Sequence, residues 1–333
     1  MKPLVSILIP AYNAEKWIAS TLKSVLAQTW SRREIIIVDD GSRDGTFAAA
    51  QQFAAPDVQV VTQKNQGASA ARNHAYSLSQ GDYIQWLDAD DFLETDKIAR
   101  QMAVAETCPD KKILFSSEWA LFMYRLNRPQ SLPTSLYADL TPAEWICRKL
   151  SQNQFLPNFS WLASRELTAA AGPWDTRLSL DDDGEYFCRM IAASRGVRFV
   201  PGAKGLYRIS DAGSLSKVDR SDRKLESLWL SLQLHIGYLR SLEDTERTRK
   251  ACVTYLGNWL NYFYPARPDI ILQAQQLAQK LGGAIDLPQL SWKYRWIEKT
   301  VGRKAANRVQ ATLPAAKMSV ARFWDKTMYR LGR

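Results

Sequence analysis

Residues Tyr83 to Asp91 read Tyr-Ile-Gln-Trp-Leu-Asp-Ala-Asp-Asp, a short β-friendly run that closes in three carboxylates. A buried strand cannot end in such a cluster uncompensated, because like charges a few ångströms apart repel and raise one another's pKa. Hard oxygen ligands at alternating positions suit Mg²⁺ or Mn²⁺, which bind through one or two carboxylates and leave other positions to water and substrate phosphates. A second cluster, Leu180-Asp181-Asp182-Asp183-Gly184-Glu185, opens a helical stretch much later in the chain. A helix N-terminus favours negative charge, so one of these carboxylates is expected to stay ionised as a general base. Ordinary helix starts also attract acids, so the second cluster reads equally as a plain helix start, whereas three acids in four residues after a Trp-bearing strand exceed what a cap at Asp88 to Asp91 needs.

The elements that hold the first cluster are legible. Val5 to Pro10 reads as a buried strand, and Trp17, Ile18, Thr21, Leu22, Val25 and Leu26 then recur at helical spacing. Glu34 to Asp40 is a second β-branched strand ending in acids and Gly41, with Asp44 a candidate cap for the next helix. Val58 to Thr62 is a third strand, Ala68 to Ser79 an Ala-rich helix, and Gly81-Asp82 starts the strand that bears the acids. This rhythm predicts a parallel sheet covered on both faces, with ligands at the carboxyl ends of its strands. Pro10 to Asn13, Asp39 to Ser42 and Asp88 to Asp91 would all meet there. Further on, 113–115, 121–124 and 197–200 read as strands, and 142–150 as a helix. Beyond Ser221 the pattern is helical, so residues 1–217 are expected to form one domain and 218–333 a helical C-terminal region.

An apolar fraction of 46% suits a globular core. Cys108, Cys147, Cys188 and Cys252 have no metal-type spacing and read as reduced core thiols. The first apolar stretch is too short for a signal peptide, and no run is long and apolar enough for a transmembrane helix. Of the net charge of +10, +9 lies in residues 291–333. From Lys317 onward, Val320, Trp324, Met328 and Leu331 share one helical face, and Arg322, Lys326, Arg330 and Arg333 lie on the opposite side. Such a helix either lies in a membrane interface or packs its Trp face on the first domain. No nucleic-acid fold motif accompanies the charge, so nucleic acid is not an expected partner.

Four segments together resemble the inverting nucleotide-sugar glycosyltransferases of family 2, in that family's order. They are Val5-Ser6-Ile7-Leu8-Ile9-Pro10-Ala11-Tyr12-Asn13, Ile37-Val38-Asp39-Asp40-Gly41-Ser42, Asn65-Gln66-Gly67-Ala68-Ser69-Ala70-Ala71-Arg72-Asn73 and Leu87-Asp88-Ala89-Asp90-Asp91. A fifth, Trp174-Asp175 through Asp182-Asp183-Gly184-Glu185 and Arg189, is similar to the family's Glu-Asp segment, with Asp182 in place of the Glu. The resemblance covers residues 4–216. It implies an α/β GT-A fold, a Rossmann-like mixed sheet with helices on both faces, followed here by a C-terminal helical extension. It also implies a Mn²⁺ or Mg²⁺ cofactor, a nucleoside-diphosphate sugar donor with UDP the expected nucleotide, and a glycan or lipid-linked acceptor. Pro10, Ala11 and Tyr12 would then line the nucleotide pocket, Asp40 would bond the base, and Arg72 would contact the donor diphosphate. Asp88 would contact the ribose or the metal, Asp90 would be the main metal ligand, and Asp183 the catalytic base. Asp182, Trp161 and Trp174 are expected on the acceptor side, tryptophan faces being suited to pyranose rings.

The family often carries a His after Tyr-Arg at the last strand. Tyr207-Arg208-Ile209-Ser210-Asp211 has none, which implies weaker metal affinity or substitution by Asp211. His74, inside the Ala-rich helix, reads as structural. The expected location is the cytoplasm, peripheral on the inner face of the cell membrane through 291–333. Two rival readings are a sugar-nucleotide nucleotidyltransferase and a non-catalytic, membrane-associated nucleotide-sugar-binding protein. The first would need a Gly-rich basic loop after the first strand, where Pro10-Ala11-Tyr12-Asn13 stands. The second would tolerate loss of Asp183.

Overall fold

A computed structural model describes residues 2–209, 221–287 and 324–329. The chain runs β1 (Val5–Ala11), α1 (Ile18–Leu26), β2 (Arg33–Asp39), α2 (Thr46–Gln51), β3 (Val58–Thr62), α3 (Ala68–Leu78), β4 (Tyr83–Trp86) and β5 (Phe92–Leu93). It continues through α4 (Lys97–Thr107), β6 (Ile113–Phe122), β7 (Gln130–Ser131), α5 (Pro142–Gln152), β8 (Ala163–Ser164), α6 (Arg165–Ala171), α7 (Asp182–Ala193) and β9 (Gly196–Arg208). Three helices follow, α8 (Asp222–Leu242), α9 (Glu246–Phe263) and α10 (Pro268–Lys280).

The first sheet has the order β3-β2-β1-β4-β8, and β8 is its antiparallel edge. Its central strands are buried on both faces, which is why they read as unbroken apolar runs instead of alternating ones. Ile7 pairs with Ile35 on one side and Gln85 on the other, so the strands end level with one another. The start of β4 is pinned by Gly81, whose N–H donates to Ser6 Oγ (2.8 Å) and Glu34 Oε1 (2.9 Å). A Cβ at Gly81 would lie 2.3 Å from Ser6 Oγ, so no larger residue fits without moving β1.

A second sheet, β5-β9-β6-β7, stands beside it. The strands expected at 113–115 and 121–124 are one strand, β6, and the one expected at 197–200 continues through β9 to Arg208. A register shift between Ser117 and Glu118 lets the long pair bend, which breaks the periodicity a sequence reading relies on. Asp44 does not cap α2 as expected. Gly45 is the N-cap, and Asp44 accepts from Thr46 N at 3.1 Å one position earlier.

Helices α8, α9 and α10 pack against one another and against α5 and α7, which joins them to the sheet domain through its helical layer. All four cysteines are free and buried. Among the described residues, no helix is long and apolar enough to cross a membrane. Residues 324–329 are helical. Asp325 there accepts from the N–H of Tyr124 (2.9 Å) and Arg125 (3.3 Å) and from Arg125 Nε (2.6 Å). Of the two readings of the tail, this stretch has packing on the first domain, yet Trp324 and Tyr329 remain 63% and 58% exposed. The rest of residues 291–333, and Asp211, lie outside the described residues.

Candidate active site

The three acids of the first cluster part company just after β4. Asp88 accepts from Arg72 Nη2 at 2.9 Å. Asp90 stays half-buried, and burial together with the Asp88 charge pushes its pKa up to about 6, against the pull of Arg208. Asp91 turns inward and accepts from Arg208 N (2.9 Å), while burial raises its pKa well above the carboxylate range. The Arg208 guanidinium, clamped between the rings of Trp17 and Phe122 at 4.4 Å each, donates from Nε to Asp90 O at 2.7 Å. Asp91 and Arg208 thus fix the loop, and Asp88 and Asp90 are left to work.

The second cluster comes to the first through Arg72. This guanidinium from α3 donates from Nη2 to Asp88 and from Nη1 to Asp182 Oδ2 (2.7 Å), and it lies 4.3 Å over the Trp174 ring. Burial works against its charge, but Asp88 and Asp182 outweigh that and raise its pKa. Asp183, the first-turn neighbour of Asp182 in α7, accepts from Gly184 N at 2.8 Å. Burial, then the charges of Asp182 and Asp181, push its pKa up to about 7, with Arg72 opposing. That is the range in which a carboxylate can accept a proton and give it up again near neutral pH.

On the nucleotide side, Pro10, Ala11 and Tyr12 end β1, and the Tyr12 ring is 45% exposed. Both oxygens of buried Asp40 are engaged by the chain itself: Oδ1 accepts from Gln63 Nε2 (2.7 Å) and Gln66 N (2.9 Å), Oδ2 from Gly67 N (2.8 Å). Asp40 therefore shapes the turn that enters α3. His74 Nδ1 pairs with Gln63 Oε1 at 2.8 Å, one step behind that turn. The neighbouring Asp39, placed at the crevice by the sequence but given no role of its own there, has a buried Oδ1 with no partner among the described residues. The signal was present, two successive acids ending one strand, but which of the two carries a free oxygen depends on the turn after it.

Trp161 and Trp174 correct an expectation. They are 1% and 2% exposed. Trp161 stacks on Phe187 at 5.2 Å, and Trp174 on Tyr186 at 3.9 Å with Arg72 over it. Neither offers a face to a sugar, because aromatic neighbours already cover both rings. Asp182, expected beside them, is engaged with Arg72.

A family profile described as Glycosyl transferase family 2 matches residues 6–151, from β1 through nearly all of α5. Residues 6–151 thus carry a glycosyl transferase family 2 domain. Chondroitin synthase of Escherichia coli is 48% identical over 98 residues, 29% of this chain and 14% of that protein. A glucosyltransferase of E. coli, WfaP, named as UDP-Glc:alpha-D-GlcNAc-diphosphoundecaprenol beta-1,3-glucosyltransferase, is 41% identical over 116 residues, 34% of this chain and 44% of its own length. The chain thus spans less than half of either relative. The crystal structure of S. aureus TarS 1-349 in complex with UDP-GlcNAc aligns with a TM-score of 0.62 at 16% identity, over 100% of this chain and 93% of that one. That likeness establishes the GT-A fold for this chain.

The carboxylates at the end of β4 fit a hard divalent cation. Asp88 and Asp90 end the same strand, and Asp90 is held near its protonation point by burial and by Asp88, so a cation there would relieve both. Among the described residues no three His, Cys, Asp or Glu side chains form a closed cage. An Mg²⁺ or Mn²⁺ ion at such a site takes its remaining ligands from water and phosphates.

Proposed function

We propose that this chain is an inverting, divalent-metal-dependent hexosyltransferase that moves a sugar from a UDP-linked donor to a hydroxyl of a glycan or lipid-linked acceptor in cell-envelope or polysaccharide synthesis. The observation that carries it is the Arg72 bridge, which ties Asp88 of the first acid cluster to Asp182 of the second at 2.9 and 2.7 Å. The clusters have different tasks, and only their juxtaposition makes one reaction of them. The names of the relatives support the donor and acceptor classes: one is a UDP-glucose-dependent enzyme acting on a diphosphoundecaprenol-linked sugar, and the TarS structure holds UDP-GlcNAc.

On this reading Pro10 and Ala11 line the nucleotide pocket, and the exposed Tyr12 ring covers the base. A uracil N–H would find an acceptor in Asp39 Oδ1, with Asp40 holding the adjacent turn. Asp88 faces the ribose, and Arg72 orients Asp88 and Asp182 while adding its fixed positive charge beside the diphosphate. Asp90, with Asp88 near it, would hold the cation, which would supply electrostatic stabilisation of the departing diphosphate. Asp183 takes the proton from the acceptor hydroxyl as that oxygen attacks the anomeric carbon from the face opposite the leaving group. One displacement inverts the centre, with charge spread over the sugar ring in an oxocarbenium-like state.

The test is release of nucleoside diphosphate from a panel of UDP-, GDP- and dTDP-sugars with Mn²⁺ or Mg²⁺, since slow transfer to water needs no acceptor. One UDP-sugar is expected to turn over metal-dependently. Asp90→Ala should abolish turnover, and Asp183→Asn should abolish it while keeping donor binding. Absence of any nucleotide binding would overturn the assignment.

A further inference from the structure

One face of α8 carries Ser227, Ser231 and His235 at intervals of four, buried at 4%, 0% and 0% exposure. Apolar residues would fill these positions more cheaply unless the polar groups are bonded. All three turn to the segment that leads into α7. Ser227 Oγ accepts from Ser179 N (2.8 Å) and Leu180 N (3.1 Å). Ser231 Oγ donates to Asp181 Oδ2 at 2.6 Å. His235 Nδ1 lies 3.7 Å from the same oxygen and 2.8 Å from Tyr255 Oη of α9. One turn on, Tyr238 Oη donates to Glu185 Oε1 at 2.6 Å.

Asp181 is held by the Ser231 hydroxyl, and His235 packs beside the same carboxylate oxygen. The Asp181 φ of 58° and ψ of 31° are left-handed, a region that residues other than Gly, Asn and Asp seldom adopt. Its carboxylate does not cap α7; it lies against Gly184, where a Cβ would stand 2.0 Å from Asp181 Oδ1. The turn at Asp181 sends three consecutive acids in three directions. Asp181 goes back to α8, Asp182 to Arg72, and Asp183 to the first turn of α7.

We propose that Ser231 and His235, acting through Asp181, are positioning residues for Asp183, so that α8, which lies outside the stretch matched by the family profile, completes the transferase site. The inference rests on the reading of Asp183 as the general base. The groups that face Asp183 electrostatically are Asp182, Asp181 and Asp88, which hold its proton, and Arg72, which opposes them. Asp181→Asn removes one of those charges, whereas Ser231→Ala leaves them all in place and removes only the hydrogen bond.

The experiment uses the full chain, the UDP-sugar that the wild type turns over, kcat from nucleotide release across the pH range, and the Kd of UDP. Ser231→Ala is expected to lower kcat about 10- to 100-fold with UDP affinity within about twofold of wild type and the acid limb of the pH profile unmoved. Asp181→Asn is expected to lower kcat similarly and to shift that limb to lower pH by about half a unit. Wild-type kcat and an unmoved limb in both variants overturn the proposal. So does a loss of UDP binding that parallels the loss of kcat, which would make the stripe a support of the fold alone. Asp183→Asn separates the two levels: if it keeps turnover, the base assignment itself fails, and if it is dead while the other variants are normal, only the role of α8 fails.

Discussion

Asp181, Asp182 and Asp183 are one residue type in one stretch, and their differences come from what surrounds each. Asp183 has the environment of a poised base because it is buried beside like charges, with one guanidinium to offset them. That arrangement costs stability when the group is ionised, and the sign can be worked out. Its folded pKa of about 7 lies above the unfolded value, so the folded chain holds the proton more tightly, and stability rises as pH falls from about 7 toward 4. Asp183→Asn lacks that term. The difference in unfolding free energy between wild type and Asp183→Asn should therefore shift in favour of wild type by about 1–3 kcal/mol between about pH 8 and pH 5 in the absence of metal and donor. Urea unfolding of both proteins at each pH checks it; a flat difference would show that the carboxylate is not held as a neutral acid. At this scale the sequence was half legible. The types and order of Asp88, Asp90, Arg72 and Asp183 could be read from it. That Arg72 reaches two carboxylates, that Asp40 is taken up by the 63–67 turn and that Trp174 lies under Arg72 could not. A tryptophan that stacks on sugar and one that packs a core are the same letter, and only burial separates them.

Among elements, β1, β2 and β4 were legible because a parallel strand buried on both faces has a continuous apolar signature, and each runs into Pro or acids. The second sheet was read in pieces, since the shift after Ser117 spoils its alternation. The polar stripe of α8 was present as Ser-x-x-x-Ser-x-x-x-His, but without its partner segment it looks like a weak helix face. Lys97 is similar. It opens α4, is 0% exposed, and its amine donates to Gln85 in the middle of β4, while Gln85 Nε2 donates to Phe159 O at 2.9 Å. The amine thereby joins a helix, the central strand and the turn before β8. Burial drives its pKa well below the usual lysine range. The unfolded chain then binds the proton more tightly than the folded one, so this residue's contribution to stability grows as pH rises toward about 10. Lys97→Met keeps the length of the side chain and lacks the titration. Relative to Lys97→Met, wild type should gain stability from about pH 7 to pH 9, at up to about 1.4 kcal/mol per unit. Parallel curves for the two proteins would mean that the amine reaches solvent.

For the whole molecule the open relation is between the catalytic crevice and the basic tail. The charge of residues 291–333 suits an anionic lipid surface, worth about 1 kcal/mol per Lys or Arg close to it. The contact made by 324–329 suits the first domain. These are compatible, because Asp325 holds the helix while Trp324 and Tyr329 stay exposed. The site of attachment is also not arbitrary. Tyr329 lies 6.1 Å from Tyr124, Tyr124 lies 6.1 Å from Trp17, and Trp17 covers the Arg208 that bonds the Asp90 backbone. A lipid surface met by those exposed rings would therefore stand close to the carboxylates, where the lipid-linked acceptor of the proposed reaction would arrive. The full chain is expected to sediment with vesicles containing phosphatidylglycerol at low salt and to release as salt rises, since screening shortens the reach of exposed charges. A chain ending at residue 287 should stay in the supernatant while still binding UDP. Asp325→Asn should keep vesicle binding but lose transfer to a lipid-linked acceptor more than transfer to water, because the tail then binds lipid without being held at the crevice. Equal sedimentation of the full and shortened chains would reject the lipid reading and leave the tail as a packing element of the first domain.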